Sequence, residues 1–321
     1  MRVGQNPAKS IDHVAQAQSI TVAMVTYIPF LRGYYTHALD VLKLSLESLW
    51  QNSDRPYDLL VFDNASCPEV CAYLEHARQD GRIQYLVLSE KNVGKGGAWN
   101  FLFGAAPGDL IVYADGDVYF HSGWLSALLQ VFDTFPNAGM VTGMPLLNPL
   151  EFSASTLSWA QQNPEVTLER GKLLPWEDYW RHAGTLGSDM TEARAFYEQN
   201  ESVLIHHKGE KFFVGAGHFQ FLARKEVLQH VVPIPSDRPM GQVRNLDIAI
   251  DRMGYLRLCT TQWWVEHLGN TPPEKAQFSD VFKQGSLDVD GKLTASLWQR
   301  KNIRNLLLRL HNKTFELLYR R

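Results

Sequence analysis

Short apolar runs alternate with amphipathic stretches along the first half of the chain. The apolar runs are ITVAMVTY, YDLLVF, RIQYLVL, DLIVYAD and AGMVTGM, and helical patterns lie over Ala38 to Trp50, from Pro68, over Gly96 to Phe103 and over Gly123 to Phe132. These runs are too apolar for strands with one solvated face. We therefore predict an α/β fold with a mostly parallel central sheet covered by helices on both faces. Ligands bind such sheets at the carboxyl ends of the strands.

Three segments depart from the alternation. Residues 1–19 are polar and predict a flexible leader before a main domain over residues 20–270. Within that domain, residues 148–209 predict a helical insert, after which strand-rich stretches and two short helices resume. Residues 271–321 predict a C-terminal helical extension.

Composition excludes several classes of protein. The 31 basic residues nearly balance the 34 acidic ones, and a net charge of −3 gives no field that would attract a nucleic acid. Three cysteines, Cys67, Cys71 and Cys259, fit neither a disulfide framework nor a structural zinc site, which favours a reducing, cytoplasmic location. The N-terminus lacks the charged region and following apolar stretch of a signal peptide, and no apolar run approaches the roughly 18 to 20 residues that span a bilayer.

The sequence ADGDVYF places Asp115 and Asp117 directly after the apolar run DLIVYA. A strand points residues i and i+2 to the same side, so both carboxylates would face one ligand. Divalent cations that bridge a diphosphate take one or two protein carboxylates. The alternative is a solvated Asp-Gly turn.

Polar residues also follow the first two predicted strands. Asp63 ends YDLLVF, and Thr26 and Tyr27 end ITVAMV. A carboxylate there can accept a hydrogen bond from a nucleobase imide, and an aromatic ring can stack on the base. The alternative is that Asp63 and Asn64 only form an Asx-turn.

A glycine-rich segment, NVGKGGAWN, follows the third predicted strand. Gly94, Gly96 and Gly97 would let the backbone approach a ligand, and Lys95 offers a positive charge to phosphate. A dinucleotide fingerprint would need a glycine where Trp99 stands. Tight packing of strand against helix is the alternative reason for the glycines.

Taken together, TVAMVTY, FDNAS, NVGKGGAWN and ADGDVYF resemble, in order and spacing, the family 2 type glycosyltransferases of the GT-A fold. The resemblance covers residues 20–143 well and residues 212–270 more weakly. It implies a nucleotide-sugar donor, Mn²⁺ or Mg²⁺ as cofactor, and a glycan or lipid-linked acceptor that contacts the insert. The nucleotide-binding residues that it implies are Thr26, Tyr27, Asp63, Asn92, Gly94, Lys95 and Asp115.

The resemblance also assigns residues of the second half. In VEHLGN, His267 resembles the distal metal ligand, which would complete a metal set with Asp115 and Asp117, although a structural histidine is the alternative. In VGAGHFQF, the loop of Gly215, Ala216, Gly217 and His218 resembles the loop beside the donor sugar.

Two departures from the family pattern affect the chemistry. Relatives carry an acidic pair, including the catalytic base, at the start of a helix, whereas here the helix reads NLDIAID. Asp247 is the first candidate for the base and Asp251, one turn later, the second; an inverting reaction depends on one of them reaching the acceptor. Trp99 stands where many relatives carry an arginine near the diphosphate, and Lys95 is expected to supply that charge.

Two other classes compete with this interpretation. A sugar-phosphate nucleotidyltransferase needs a glycine-rich loop after the first strand, but VTYIPFLRGYY holds a single glycine. A non-catalytic sugar-binding or scaffolding domain would not need Asp115, Asp117 and His267 together.

The segment Leu297 to Arg321 predicts a basic amphipathic helix, with seven Lys or Arg and one acid, Glu316. Packing of this helix onto the core is one alternative. Peripheral docking on an anionic membrane surface at the cytoplasmic face, where lipid-linked acceptors reside, is the other.

Overall fold

The computed structural model describes residues 3–273. Residues 3–19 are exposed throughout and contain one short 3₁₀ helix, Pro7–Ser10, before the first strand begins at Ile20. The predicted C-terminal extension, including the basic amphipathic helix, lies outside the described residues apart from its first three positions.

Strands and helices alternate through the first half, as the apolar pattern predicts. The strands are β1 Ile20–Thr26, β2 Asp58–Asn64, β3 Tyr85–Ser89, β4 Leu110–Asp115, β5 Val118–Phe120, β6 Ala138–Thr142, β7 Thr167–Gly171, β8 Ser202–His207, β9 Glu210–Val214, β10 Gln220–Arg224, β11 Leu256–Thr260 and β12 Val265–His267. The helices are α1 Ala38–Asn52, α2 Pro68–Gln79, α3 Gly94–Ala105, α4 Trp124–Thr134, α5 Ala154–Gln162, α6 Trp176–Thr185, α7 Met190–Gln199, α8 Lys225–Val231 and α9 Arg244–Arg252.

Ten of these strands form one central sheet in the order β3-β2-β1-β4-β10-β6-β11-β9-β8-β7. Neighbours from β3 to β4 are all parallel, so the carboxyl ends of β1, β2 and β4 meet at one edge. β10 runs antiparallel between β4 and β6, and β11 is parallel to β6. The predicted α/β class is confirmed, with three strands, β10, β9 and β7, running against the other seven.

Helices cover both faces of the sheet because successive strand residues enter two different cores. Val112 and Ala114 of β4 pack with α1, α2 and α4, whereas Ile111 and Tyr113 pack with α3, α8 and α9. A strand that is buried on both faces has no solvated positions, which explains the uninterrupted apolar run.

The insert is not purely helical. Besides α5, α6 and α7 it contributes β7 and β8, which extend the sheet edge by antiparallel pairing with each other and with β9. The strand-rich stretch after it divides into β9 and β10, which are separated by the loop Gly215 to Phe219.

A second, two-stranded sheet pairs β12 with β5 in antiparallel register. His267 is the partner of Val118, and Leu268 N donates a hydrogen bond of 2.8 Å to Asp117 O. This pairing carries the end of β12 to the end of β4. Within residues 3–273, no helix has the length and apolar character needed to cross a bilayer.

Candidate active site

Asp115 is the last residue of β4, and its carboxylate is already engaged by two side chains. Lys95 Nζ lies 2.6 Å from Asp115 Oδ2, and the Tyr113 hydroxyl donates to Oδ1. Tyr113 is two residues earlier on the same strand, so it faces the same side. Burial, followed by the charge of Asp115, raises the pKa of Tyr113 well above its ordinary value, so the phenol remains a proton donor.

Asp117 lies in the turn between β4 and β5 and faces His267. His267 Nε2 is 3.2 Å from Asp117 Oδ2, while Asp117 Oδ1 is buried and has no hydrogen-bond partner among the described residues. An unpaired buried carboxylate oxygen costs free energy unless a cation or donor satisfies it. The pair therefore offers one free carboxylate oxygen next to an imidazole nitrogen.

Asp117 and His267 each stabilise the charged form of the other. Burial alone would raise the pKa of Asp117, but the charge and hydrogen bond of His267, with the charge of Lys95, hold it below its usual range. Burial alone would lower the pKa of His267, but the charge and hydrogen bond of Asp117, with the charge of Asp115, hold it above its usual range. Both effects favour the ionised form of each group.

Helix α6 of the insert fixes the His267 ring from the other side. Thr185 Oγ1 lies 2.8 Å from His267 Nδ1 and itself donates a 2.7 Å hydrogen bond to His182 O. Because that hydroxyl hydrogen is used, Nδ1 must carry the proton in this contact, and Nε2 is the nitrogen left to face Asp117. The adjacent His182 is buried, and burial followed by the charge of His267 lowers its pKa to about 3.

The donor chemistry of Asp117 and His267 fits a divalent cation shared with a diphosphate. A cation would replace the Nε2 proton of His267, and the neutral imidazole and one carboxylate would leave the other coordination positions to phosphate and water. No group of three or more His, Cys, Asp or Glu side chains within residues 3–273 is arranged to hold a metal by itself. Asp115, the third predicted ligand, is bound to Lys95 and Tyr113.

The carboxyl ends of β1 and β2 meet beside this pair, as predicted. Thr26 Oγ1 donates to Asp63 Oδ1 at 2.8 Å, and Ser66 N donates to Asp63 Oδ2 at 2.9 Å. Asp63 is fully buried, and its contact with Ser66 N, three residues further on, is a local bond from a side chain to the backbone. Tyr27 is 36% exposed, which leaves its ring accessible to a ligand.

The glycine-rich segment begins α3 and packs against another part of the chain. Gly94 has a φ of +72°, and a Cβ there would lie 2.8 Å from Arg238 O, so the backbone of residues 235–239 fills the space beside it. Asn92 Oδ1 accepts from Asn64 Nδ2 at 2.9 Å and from Gly94 N at 2.8 Å. Close packing therefore accounts for these glycines, while the side chain of Lys95 points to Asp115.

The backbone of the loop Gly215 to His218 is held by the protein itself. Gly215 N donates to Arg257 O, Ala216 O accepts from Arg257 Nη2, and Gly217 N donates to Thr142 Oγ1, all at 2.8 to 2.9 Å. The side chain of His218 is the part of this loop that is left to contact a ligand.

The two candidate bases on α9 have different surroundings. Asp247 is 1% exposed; its Oδ1 accepts from Arg257 Nη2, and its Oδ2 lies 2.7 Å from His218 Nε2. Asp251 Oδ1 accepts from Ser155 N at 2.9 Å, and Asp251 lines a separate cavity of about 250 Å³ with Glu151, Phe152, Ile248 and Arg252. Of the two, only Asp247 contacts the loop beside the predicted donor site.

Sequence reasoning missed several residues of the site. Tyr113 can be predicted from the sequence, because it lies two residues before Asp115 on a strand and so shares its face. Arg257 can be predicted to form a buried ion pair, because it is the one charged residue in the apolar run YLRLCT and a buried charge needs a partner. His182 and Thr185 gave no signal, because nothing in the insert predicts that α6 packs on His267.

Fold and site together define an α/β protein in which polar and charged side chains, including Asp63, Asp115 and Asp117, gather at the carboxyl ends of β1, β2 and β4. Residues 33–177 match the sequence model of glycosyl transferase family 2. This match confirms the family resemblance carried by the motifs. It includes Asp63, Lys95, Asp115 and Asp117, whereas Thr26, His218, Asp247 and His267 lie outside the matched range.

Two solved structures are similar to this chain at low identity. One is the mannosyltransferase PcManGT from Pyrobaculum calidifontis in complex with GDP-Man and Mn²⁺, at 15% identity and a TM-score of 0.45, covering 77% of this chain and 55% of that one. The other is S. aureus TarS 1-349, at 14% identity and a TM-score of 0.43, covering 77% and 58%. The chain thus spans little more than half of either protein. The search of the curated proteins gave no match.

Proposed function

We propose that this protein transfers a sugar from a nucleoside diphosphate donor, a UDP-sugar, to an acceptor hydroxyl with inversion at the anomeric carbon, in the biosynthesis of a glycan or polysaccharide. The observation that carries the proposal is the pair of Asp117 and His267, in which a buried carboxylate oxygen without a partner lies next to an imidazole nitrogen at the carboxyl end of β4. The family match over residues 33–177 gives the reaction class.

Asp117 and His267 would hold Mn²⁺ or Mg²⁺. When bound, such an ion supplies charge stabilisation to the diphosphate as it leaves the anomeric carbon. Thr185 keeps the His267 ring oriented through Nδ1, and Lys95 contributes a further positive charge beside Asp115. Several kcal/mol of leaving-group stabilisation is expected from such an arrangement.

The ends of β1 and β2 would hold the nucleotide. The Asp63 carboxylate is oriented by Thr26 and by the backbone of Ser66, and a second lone pair on one of its oxygens would accept from the imide of a uracil ring. The partly exposed ring of Tyr27 would stack on that base.

The insert would contact the acceptor. α6 reaches the site through Thr185 and carries Trp176 and Trp180, which stack with ring centroids 5.8 Å apart. Aromatic faces bind the apolar faces of sugar rings, which agrees with a glycan or a lipid-linked sugar as acceptor. A lipid-linked acceptor would place the protein at the cytoplasmic face of a membrane, with residues 297–321 on the lipid surface. Unchanged liposome binding after truncation at Thr294 would contradict that placement.

A thermal-shift panel with UDP-glucose, UDP-galactose, UDP-N-acetylglucosamine, GDP-mannose and dTDP-glucose, each with and without Mn²⁺, tests the proposal. A ligand that binds only the native protein raises its melting temperature by mass action. We expect a UDP-sugar to give the largest shift, the shift to require Mn²⁺, and UDP release from that sugar to stop on adding EDTA. Absence of both shift and UDP release across the panel would contradict the proposal.

A further inference from the structure

Strand β3 forms one edge of the central sheet. Within residues 3–273 it pairs with β2 alone, so its backbone N–H and C=O groups that point away from β2 have no partner strand. Sheet edges are usually protected by charged side chains, proline or a bulge, because an unprotected edge pairs with another chain. The sequence of β3, YLVLS, has no charge and no proline, and its register with β2 is regular. β3 is therefore an unprotected edge.

The opposite edge of the same sheet is protected. Its strand β7, TLERG, carries Glu169 and Arg170, and both are exposed. Glu169 Oε2 lies 2.9 Å from His206 Nε2 on β8. Pairing with a second chain would remove water from these charged groups, at a cost in free energy. The two edges therefore differ, and β3 is the one that has the character of a strand that pairs further.

Apolar side chains on both faces of β3 are exposed. Tyr85 is 42% exposed and Leu88 is 39% exposed. They are three residues apart on a strand, so their side chains lie on opposite faces of the sheet. Tyr85 is the register partner of Leu60, which packs in the core under α3. A partner strand beside β3 would take apolar surface out of water on each face, which favours association.

Helix α3 continues the apolar surface on its own face of the sheet. Phe101 is 42% exposed, and its ring lies 5.2 Å from the ring of Phe62, the register partner of Val87. One turn later, Gly104 is exposed, and a Cβ there would meet no atom within 4 Å. The one charged residue of α3, Lys95, points to the candidate active site instead. α3 thus presents an uncharged face next to the edge of β3.

The charges that flank β3 favour a second copy of this chain as the partner. Asp80 and Arg82 precede the strand, Glu90 and Lys91 follow it, and all four are exposed. In an antiparallel pair of β3 strands, Arg82 of each copy approaches Glu90 of the other. Asp80 approaches Lys91 in the same arrangement. Arg82 also contacts Glu47 at 2.9 Å, but a guanidinium has further N–H groups for a second carboxylate. The flanking sequence is therefore complementary to itself in the antiparallel direction.

We propose that two copies of this chain form a dimer by antiparallel pairing of their β3 strands about a two-fold axis near Leu86. Both pairs of flanking charges meet in this register, which also gives the outward backbone groups of β3 their partners. A two-fold axis perpendicular to the sheet keeps α3 of both copies on one face, so their uncharged faces approach each other. Such a contact uses the same patch on each copy and closes with two of them. The dimer does not depend on the proposed function, so it is tested without a donor.

The mass of the full chain in solution tests the proposal, measured by size-exclusion chromatography with light scattering over a range of concentrations. We expect a dimer that dissociates on dilution. Leu88→Lys should raise its dissociation constant about tenfold, because each dimer then carries two lysines at a contact between strands. Met253→Lys, a substitution at 38% exposure directly after α9, is the matched control and should keep the parental constant.

A double variant, Tyr85→Lys with Leu88→Lys, should be monomeric at every concentration, since it places charge on both faces of the strand. Far-UV circular dichroism equal to that of the parent shows that it remains folded. A parent that is monomeric throughout would overturn the proposal. A folded double variant that keeps the parental dissociation constant would overturn it as well.

Hydrogen exchange shows which strand forms the contact. In the dimer, the amides of β3 that point away from β2 should exchange slowly, and dilution or Leu88→Lys should speed their exchange. Outward amides of β7 should exchange fast in every sample and serve as the internal control. Fast exchange of the outward β3 amides in the dimer would contradict the proposal. Slow exchange that persists in the monomer would also contradict it, because another segment would then cover the edge.

Discussion

His267 Nε2 lies 3.2 Å from Asp117 Oδ2 because β12 pairs antiparallel with β5. The pairing brings residues that are far apart in sequence to the end of β4. It also explains why the two residues of the proposed cation site come from the turn after one strand and the last position of another.

Replacing Asp117 by Asn should remove the manganese-dependent part of the stabilisation by UDP. The amide keeps the shape of the side chain but lacks the charge that a divalent cation requires. The measurement is the difference between the UDP-induced melting shift with Mn²⁺ and with EDTA. Asp133→Asn, an exposed change on α4, is the control and should keep the parental difference. If Asp117→Asn also kept the parental difference, Asp117 would not be a ligand of the cation.

Replacing Thr185 by Val should weaken Mn²⁺ binding about 10 to 100-fold without abolishing it. The change removes the oxygen that accepts the Nδ1 proton of His267, and such outer partners set the orientation of a ligating ring. Titration of Mn²⁺ in the presence of UDP measures the effect. Thr167→Val, an exposed change on β7, is the control. Equal Mn²⁺ affinities of the Thr185→Val and Thr167→Val variants would show that Thr185 does not support Mn²⁺ binding.

Replacing Arg257 by Met should destabilise the protein by about 3 to 5 kcal/mol, because it leaves the buried Asp247 carboxylate without its guanidinium partner. Denaturant unfolding measures the loss. The double variant Arg257→Met with Asp247→Leu should recover part of it, since neither charge is then buried alone. If the unfolding free energy of Arg257→Met lay within about 1 kcal/mol of the parental value, the Arg257–Asp247 pair would not be buried as described.

Replacing Glu266 by Gln should reduce stability in a pH-dependent way. Glu266 lies 2.6 Å from His121 Nε2 and 2.5 Å from Arg181 Nη2. Burial alone would raise its pKa, but these partners hold it below the ordinary 4.5. A depressed carboxyl pKa gives stability that is present above the unfolded value and is lost as pH falls through the folded one.

The difference in unfolding free energy between parent and Glu266→Gln should therefore be largest near neutral pH and shrink progressively below about pH 4.5. Denaturant curves at several pH values measure it. A difference that does not change with pH would show that the charge of Glu266 makes no contribution.

The first half of the fold follows from the sequence because local patterns decide it. The apolar runs of β1, β2 and β4 are buried on both faces, β3 at the sheet edge is partly exposed, and each amphipathic stretch between them forms a covering helix. The strand ends can be predicted for the same reason, and the sequence therefore identifies Asp63 and Asp115 as residues at the carboxyl ends of β2 and β4.

The second half could not be predicted to the same depth, since long-range pairing decides it. The sequence of β7, TLERG, does not alternate apolar and polar residues as a half-buried strand does. Among the described residues, β7 joins the sheet by pairing with β8. The surroundings of Asp247 depend on Arg257 and His218, which lie on two other elements. A sequence pattern shows that a carboxylate is present on a helix but not that its oxygens are already occupied.

A crystal grown with UDP and Mn²⁺ tests the central claim most directly, through the anomalous signal of manganese. The account predicts one manganese peak joined to Asp117, His267 and the UDP diphosphate. A peak away from both residues, or a diphosphate bound with neither of them nearby, would contradict it.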